Sequence, residues 1–128
     1  MRQGCPPDST RRQGQQWEAI AEAYLSQAGL RLLERNAHFR QGEIDRIFVE
    51  GDTLVFVEVR YRSPRGFGGG LESITPSKQR KLLAAAQLWL AKHPQWTNQP
   101  CRFDVIAISG ERASAQIEWI KNAIYLNG

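Results

Sequence analysis

Near the start of the chain, apolar residues recur at a helical spacing. Trp17, Ile20, Ala21, Tyr24, Leu25 and Ala28 fall at i, i+3, i+4, i+7, i+8 and i+11, which is one face of an α-helix. The pattern predicts a helix that begins at Gln13 and ends at Gly29, a residue suited to the position just past a helix. Strand-like patterns follow. Leu30–Phe39, Glu43–Glu50 and Thr53–Tyr61 read as three strands, the last almost wholly β-branched or aromatic. Gly51-Asp52 is a two-residue hairpin signal, so the second and third strands are expected to be antiparallel neighbours.

Ser63–Gly70 reads as a loop, with Pro64, Gly66 and three successive glycines from Gly68. Thr75-Pro76 then opens a second helix: a hydroxyl N-cap is followed by a proline at N1, where a missing N–H costs nothing. Leu82, Leu83, Ala86, Trp89 and Leu90 give this helix its apolar side, and Pro94 stops it. Arg102–Ser109 and Ser114–Ile120 read as two further strands. The order α-β-β-β-α-β-β predicts an α/β fold with one mixed central sheet of about five strands flanked by helices.

Residues 1–12 are rich in Gln, Pro, Ser and Arg, with almost nothing apolar. They are expected to form a disordered polar leader ahead of one domain over residues 13–128, a length that suits a single core. The leader lacks the apolar stretch of a secretory signal. No run approaches the roughly 20 apolar residues that cross a bilayer, so no membrane association is expected. Cys5 and Cys101 have no CxxC or Cys/His metal spacing; two free thiols in a reducing cytoplasm are expected. The oligomeric state is left open, a homodimer included.

Charge adds a partner class. The formal net charge of +4 and the pI of about 9.4 favour an anionic partner, nucleic acid first. Arg60, Arg62, Arg65, Lys78, Arg80 and Lys81 cluster in a stretch where Glu72 is the only acid. Arg62, Arg65, Lys78, Arg80 and Lys81 are therefore candidate nucleic-acid contacts, helped by the N–H groups at the helix start. The alternative is a solvated basic face. His38 and His93 stand alone; His93 fits a helix end and His38 a structural strand position.

The candidate chemistry lies on the second and third strands. Side chains alternate along a strand, so Glu58 shares a face with Leu54, Phe56 and Arg60, and Asp45 shares one with Glu43, Ile47 and Val49. An ionised carboxylate in a buried strand is costly unless paired or metal-bound. Continuing the hairpin register sets Asp45 opposite Glu58, with Cβ atoms about 4.5–5.5 Å apart. A hard divalent cation relieves such crowding. The alternative pairs Glu58 with Arg60 or Arg46 and makes Asp45 a turn cap.

Three segments carry a resemblance. Gly42-Glu43-Ile44-Asp45, Phe56-Val57-Glu58-Val59-Arg60 and Arg102-Phe103-Asp104-Val105-Ile106 together resemble the YraN-type family of bacterial proteins. That family is similar to archaeal Holliday-junction resolvases and the wider PD-(D/E)XK nuclease superfamily. The resemblance runs from about Gly14 to the C-terminus and includes Glu18, Ala21, Tyr24, Leu25, Gly29, Asn36, Phe67-Gly68 and Lys78. It implies a restriction-endonuclease-like fold, DNA as partner and Mg²⁺ or Mn²⁺ as cofactor. It implies Asp45 and Glu58 as metal ligands with the Val59 carbonyl, and Glu18 as a helix acid brought to the same site.

Two positions depart from the family pattern. Arg60 stands where the motif carries lysine; arginine stays protonated and cannot act as general base, though it can stabilise developing negative charge. Trp17 stands where a small residue is usual. Three functions follow as expectations: a metal-dependent endonuclease on structured DNA using Asp45, Glu58, Arg60 and Glu18; a nucleic-acid-binding module of the same fold that cleaves poorly; and a protein-interaction domain with purely structural acids.

Overall fold

The computed structural model describes residues 6–62 and 74–124, residues 6–13 by their backbone alone. Helix α1 spans Pro6–Gln27, and strands β1 (Arg31–Phe39), β2 (Gly42–Glu50) and β3 (Thr53–Arg62) follow it. Helix α2 (Pro76–Lys92) then leads to β4 (Cys101–Ser109) and β5 (Gln116–Ile124). The order is the expected one, and the five strands form one mixed sheet in chain order, β1-β2-β3-β4-β5. Only β3 and β4 run parallel; the other neighbours are antiparallel.

The two helices cover opposite faces. Ala21 and Leu25 of α1 pack with Phe48, Val55, Val57, Ile106 and Ile108. Leu82, Ala85, Ala86 and Trp89 of α2 pack with Ile47, Val49, Leu54, Phe56 and Phe103. The central strands are thus buried on both sides, which is why β3 reads as an almost continuous apolar run.

The ends of both helices follow from local chemistry. Leu30 donates its N–H to the Leu25 carbonyl and Gly29 to the Ser26 carbonyl, each at 3.1 Å. This is the closing turn that a C′ glycine permits, and Gly29 has φ +102°. The Thr75 hydroxyl accepts from the Lys78 N–H at 3.1 Å, with Pro76 in the first turn. His93 lies at the other end of α2, its Nδ1 2.8 Å from the Trp89 carbonyl.

Two expected boundaries are corrected. Helix α1 begins at Pro6 rather than Gln13, so residues 6–12, expected to be disordered, are helical backbone. Extending a helix that is already packed needs no new nucleus, and composition does not register this. Strand β5 runs to Ile124 rather than stopping at Ile120. Its register shifts between Val105↔Ile120 and Phe103↔Ile124, and Asn122 sits there with φ +55°. The strand bulges and resumes, which breaks the two-residue period.

Asp104 pins that bulge. It is fully buried and accepts from Arg102 Nε (2.9 Å), Trp119 Nε1 (2.9 Å) and the Asn122 N–H (2.9 Å). Arg102 also reaches Glu50 at 2.8 Å. The Arg102-Phe103-Asp104 segment therefore has a structural role across β2, β4 and β5. Removing a partner from a buried ion pair costs about 3–5 kcal/mol. Asp104→Ala is accordingly expected to lose stability of that order in urea unfolding; a loss of under about 1 kcal/mol would show that the network is not what holds β5.

Candidate functional site

The β2–β3 hairpin sets the site's geometry. Its pairs run from Glu50↔Thr53 to Arg46↔Val57, the register that the Gly51-Asp52 turn implies. The pairing ends there, and Asp45 is not a ladder partner of Glu58. Its Oδ2 instead accepts the Val59 backbone N–H at 2.9 Å. At the open end of a ladder, a carboxylate gains more by taking an orphan N–H than by facing another carboxylate. Asp45 and Glu58 still lie close enough for their charges to interact.

Glu58 is 2% exposed. Its Oε2 meets Arg60 Nη1 at 3.1 Å and Lys78 Nζ at 3.5 Å. Its Oε1 has no hydrogen-bond partner, alone in this among the buried side-chain N and O atoms of the described residues. The expected alternative pairing of Glu58 with Arg60 is thus present, but it satisfies one oxygen. Lys78 was expected among the nucleic-acid contacts; the first turn of α2 brings it to Glu58. Arg80 and Lys81 are exposed and Arg62 is half-buried at the end of β3. Arg65 and Phe67-Gly68 lie outside the described residues.

The approach of α2 is tight. A Cβ on Gly42 would stand 2.5 Å from the Lys81 carbonyl oxygen, so glycine at the start of β2 lets the helix backbone close on the strand.

On the opposite face, Arg46 is 5% exposed and organises α1. It donates to Glu22 Oε1 (2.8 Å), Glu18 Oε1 (3.2 Å), Asn36 Oδ1 (3.4 Å) and the Asp45 carbonyl (2.8 Å). Asn36, at φ +52°, donates to Glu18 at 3.1 Å. Arg35 adds a 2.8 Å bond to Glu22 and holds that carboxyl below the usual range against its partial desolvation, with help from Arg46. Glu22 and Arg46 escaped the sequence reading as a pair. The available signal was a charge at a β2 position that alternates in step with the apolar Phe48.

Glu18 lines a cavity of about 610 Å³ with Gly14, Gln15, Asn36, His38 and Glu43. His38 Nδ1 is 3.4 Å from Glu43 Oε1. Asp45 feels this side as well. Its carboxyl is pushed up to about 8, first by burial and then by the charge of Glu58, with smaller contributions from Glu18 and Glu43; the Val59 N–H opposes them. Cys101 is a free, half-buried thiol raised by desolvation, and Cys5 lies outside the described residues.

Among the described residues, no three His, Cys, Asp or Glu side chains gather as a preformed metal cage. Glu18 is tied to Arg46, which leaves two carboxylates, Asp45 and Glu58, with the Val59 carbonyl as a backbone oxygen. These are hard-cation donors. The unmet Oε1 of Glu58 and the suppressed ionisation of Asp45 both favour a positive charge beside them.

The Asp45 shift fixes a sign. Its folded value of about 8 lies above the ordinary 3.8, so the folded chain holds a proton that the unfolded chain releases. Stability therefore falls as pH rises from about 4 to 8. Asp45→Asn keeps an oxygen for the Val59 N–H and removes the charge. Thermal melts without metal should show this variant gaining on the parent by several degrees between pH 5 and pH 8, at roughly 2–5 °C per kcal/mol. A gap that is flat or shrinking with pH would contradict the crowding.

A family model described as "Uncharacterised protein family UPF0102" matches residues 17–108, the span that holds Glu18, Asp45, Glu58, Arg60 and Lys78. A UPF0102 protein of Stutzerimonas stutzeri is 52% identical over 110 residues, covering 86% of this chain and 92% of its own. One from Pseudomonas syringae pv. syringae is 52% identical over 117 residues, with 90% and 95% covered. One from Colwellia psychrerythraea is 49% identical over 111 residues, with 86% of each chain covered. With most of the chain matched at about half identity to proteins of that description, the chain belongs to the UPF0102 family.

Proposed function

We propose that this chain is a divalent-metal-dependent endonuclease acting on structured DNA. The observation that carries the reading is Glu58, a buried carboxylate with one oxygen unmet, beside Asp45, whose charge is suppressed first by burial and then by that neighbour. A buried Asp45 that resists ionisation beside a carboxylate with an unmet oxygen welcomes a hard cation and suits phosphodiester hydrolysis better than a purely structural role.

Asp45 and Glu58, with the Val59 carbonyl, would hold the Mg²⁺ or Mn²⁺. A bound ion of this kind polarises a phosphate oxygen and acidifies a water. Arg60 and Lys78, both on Glu58 Oε2, would orient the scissile phosphate and offset its developing charge. An arginine is no general base, so the role left to Arg60 is to bind charge. Glu18 assists from α1 through the Asn36 and Arg46 contacts.

One observation favours a second reading, a nucleic-acid-binding module that cleaves poorly: Glu58 Oε2 is already neutralised by two cations. Cleavage of branched and single-stranded DNA in Mn²⁺, Mg²⁺ and chelator separates the two. Slow, metal-dependent cleavage is expected, abolished by Asp45→Asn and by Glu58→Gln. Arg60→Lys should retain or raise it, and Arg60→Ala should lower it. A parent and an Arg60→Lys variant both inert with either metal would favour the second reading.

Binding gives a further check. Affinity for duplex or branched DNA should fall as salt rises. Arg62→Ala combined with Arg65→Ala should flatten the log–log slope by about one to two. Identical binding at every salt concentration would remove that loop from the DNA face.

A further inference from the structure

Among the described residues, Tyr24 and Tyr61 are the two exposed large hydrophobic side chains, at 38% and 41%. Each is backed by a tryptophan. Tyr61 stacks on Trp17 with centroids 4.3 Å apart and planes 11° from parallel; Tyr24 meets Trp119 edge-on at 6.2 Å. The Tyr61 hydroxyl donates to the Gly110 carbonyl at 3.1 Å, so its ring is held at both its face and its tip. Trp17 and Tyr24 stand seven residues apart on α1, two turns or about 10 Å along the helix. Trp119 is on β5 and Tyr61 near the end of β3, so both pairs lie on the α1 side of the sheet.

Cations accompany the rings. Lys121 Nζ sits 4.4 Å over the Trp119 ring, and Arg62 follows Tyr61 at the strand end. A ring fixed against a tryptophan yet 41% exposed can accept a flat aromatic ligand. Tyr61 held in this way, with Tyr24 edge-on to Trp119 and Lys121 over the Trp119 ring, matches bases on an anionic backbone. A stable protein partner needs on the order of 1,000 Å² of contact, whereas these are two separate rings, each backed by a different tryptophan.

We propose that Tyr61 on Trp17, together with Tyr24 beside Trp119, is a stacking surface for unpaired nucleobases. It rests on the nucleic-acid reading above and narrows it: the strand engaged carries single-stranded nucleotides next to the acidic site, as in a flap, fork or gap. Tyr61 lies three residues beyond Glu58 on β3, and Trp17 directly precedes Glu18 on α1. By strand alternation Tyr61 stands on the opposite face of β3 from Glu58, so the rings lie on the Glu18 side of the site.

The test uses the full chain, chelator and no cleavage. Anisotropy of a labelled 12-mer of thymidine is compared with that of a blunt duplex of equal length at low salt. Tyr61→Leu, which keeps an apolar contact on Trp17, should weaken oligothymidine binding about 5- to 100-fold and leave duplex binding within about twofold. Tyr61→Phe, which keeps the ring and loses only the Gly110 bond, should stay within about threefold of the parent and control for folding. Tyr24→Leu should weaken the oligothymidine in the same direction. The proposal is overturned if the parent does not bind the oligothymidine, if Leu and Phe variants lose affinity equally, or if Tyr61→Leu binds as the parent does. Concentration-dependent self-association that Tyr61→Leu removes, with oligothymidine binding unchanged, would also overturn it and assign the face to a second copy. Because binding is read without metal, an inert but ring-dependent binder would sink the hydrolase reading alone, and a cleaving enzyme insensitive to Tyr61 would sink only this one.

Discussion

The arrangement of the acidic region depends on one buried guanidinium. Arg46 sits beneath α1 with 5% of its surface exposed, where an unpaired charge would be prohibitive. Its cost is met by two carboxylates from α1, the Asn36 amide and the carbonyl of the preceding residue. The planar fork of arginine is what allows it to serve these directions at once. A lysine would present a point charge and would leave some of those acceptors unserved. Because Glu18 and Glu22 are one turn apart on α1, holding both fixes the helix in rotation as well as position. Glu18 is thereby set where its charge reaches Asp45.

This makes the candidate site two-sided. From the α1 side come Glu18 and the cavity lined by His38 and Glu43. From the α2 side come Lys78 and, on β3 itself, Glu58 and Arg60. Asp45 lies where the hairpin ladder gives out, with a backbone N–H in its grasp and acids around it. A hairpin ladder that ends in this way sets acids between interior strands without breaking the core, since Ile44, Arg46 and Phe48 stay buried beside it.

Much of this was legible in the chain. The hairpin register follows from Gly51-Asp52 and holds down to Arg46↔Val57, because strand alternation and turn length leave no other pairing. Thr75-Pro76 fixed the start of α2 for the same local reason. What failed to show was anything that depends on competition between partners. The choice of Asp45 between Glu58 and the Val59 N–H is decided at the end of a ladder, where period-two reasoning stops. The docking of Lys78 on Glu58 requires the path of α2 across the sheet, which a helical pattern does not encode. Asn122 and Asn36, both at positive φ, bend strands that composition reads as straight.

The parallel contact between β3 and β4 has a kinetic consequence. Strands β1, β2 and β3 join through tight local turns, while β4 must find β3 across the whole of α2. Closing that longer loop is the entropically demanding event. The hairpin that bears Asp45 and Glu58 can therefore assemble from local contacts, whereas Lys78 reaches Glu58 only once the crossover is complete. Until then Glu58 has only Arg60, from its own strand, to set against the neighbouring carboxylate. The strand pair that carries the acids thus forms with one of the two cations of Glu58 and gains the second only when α2 docks.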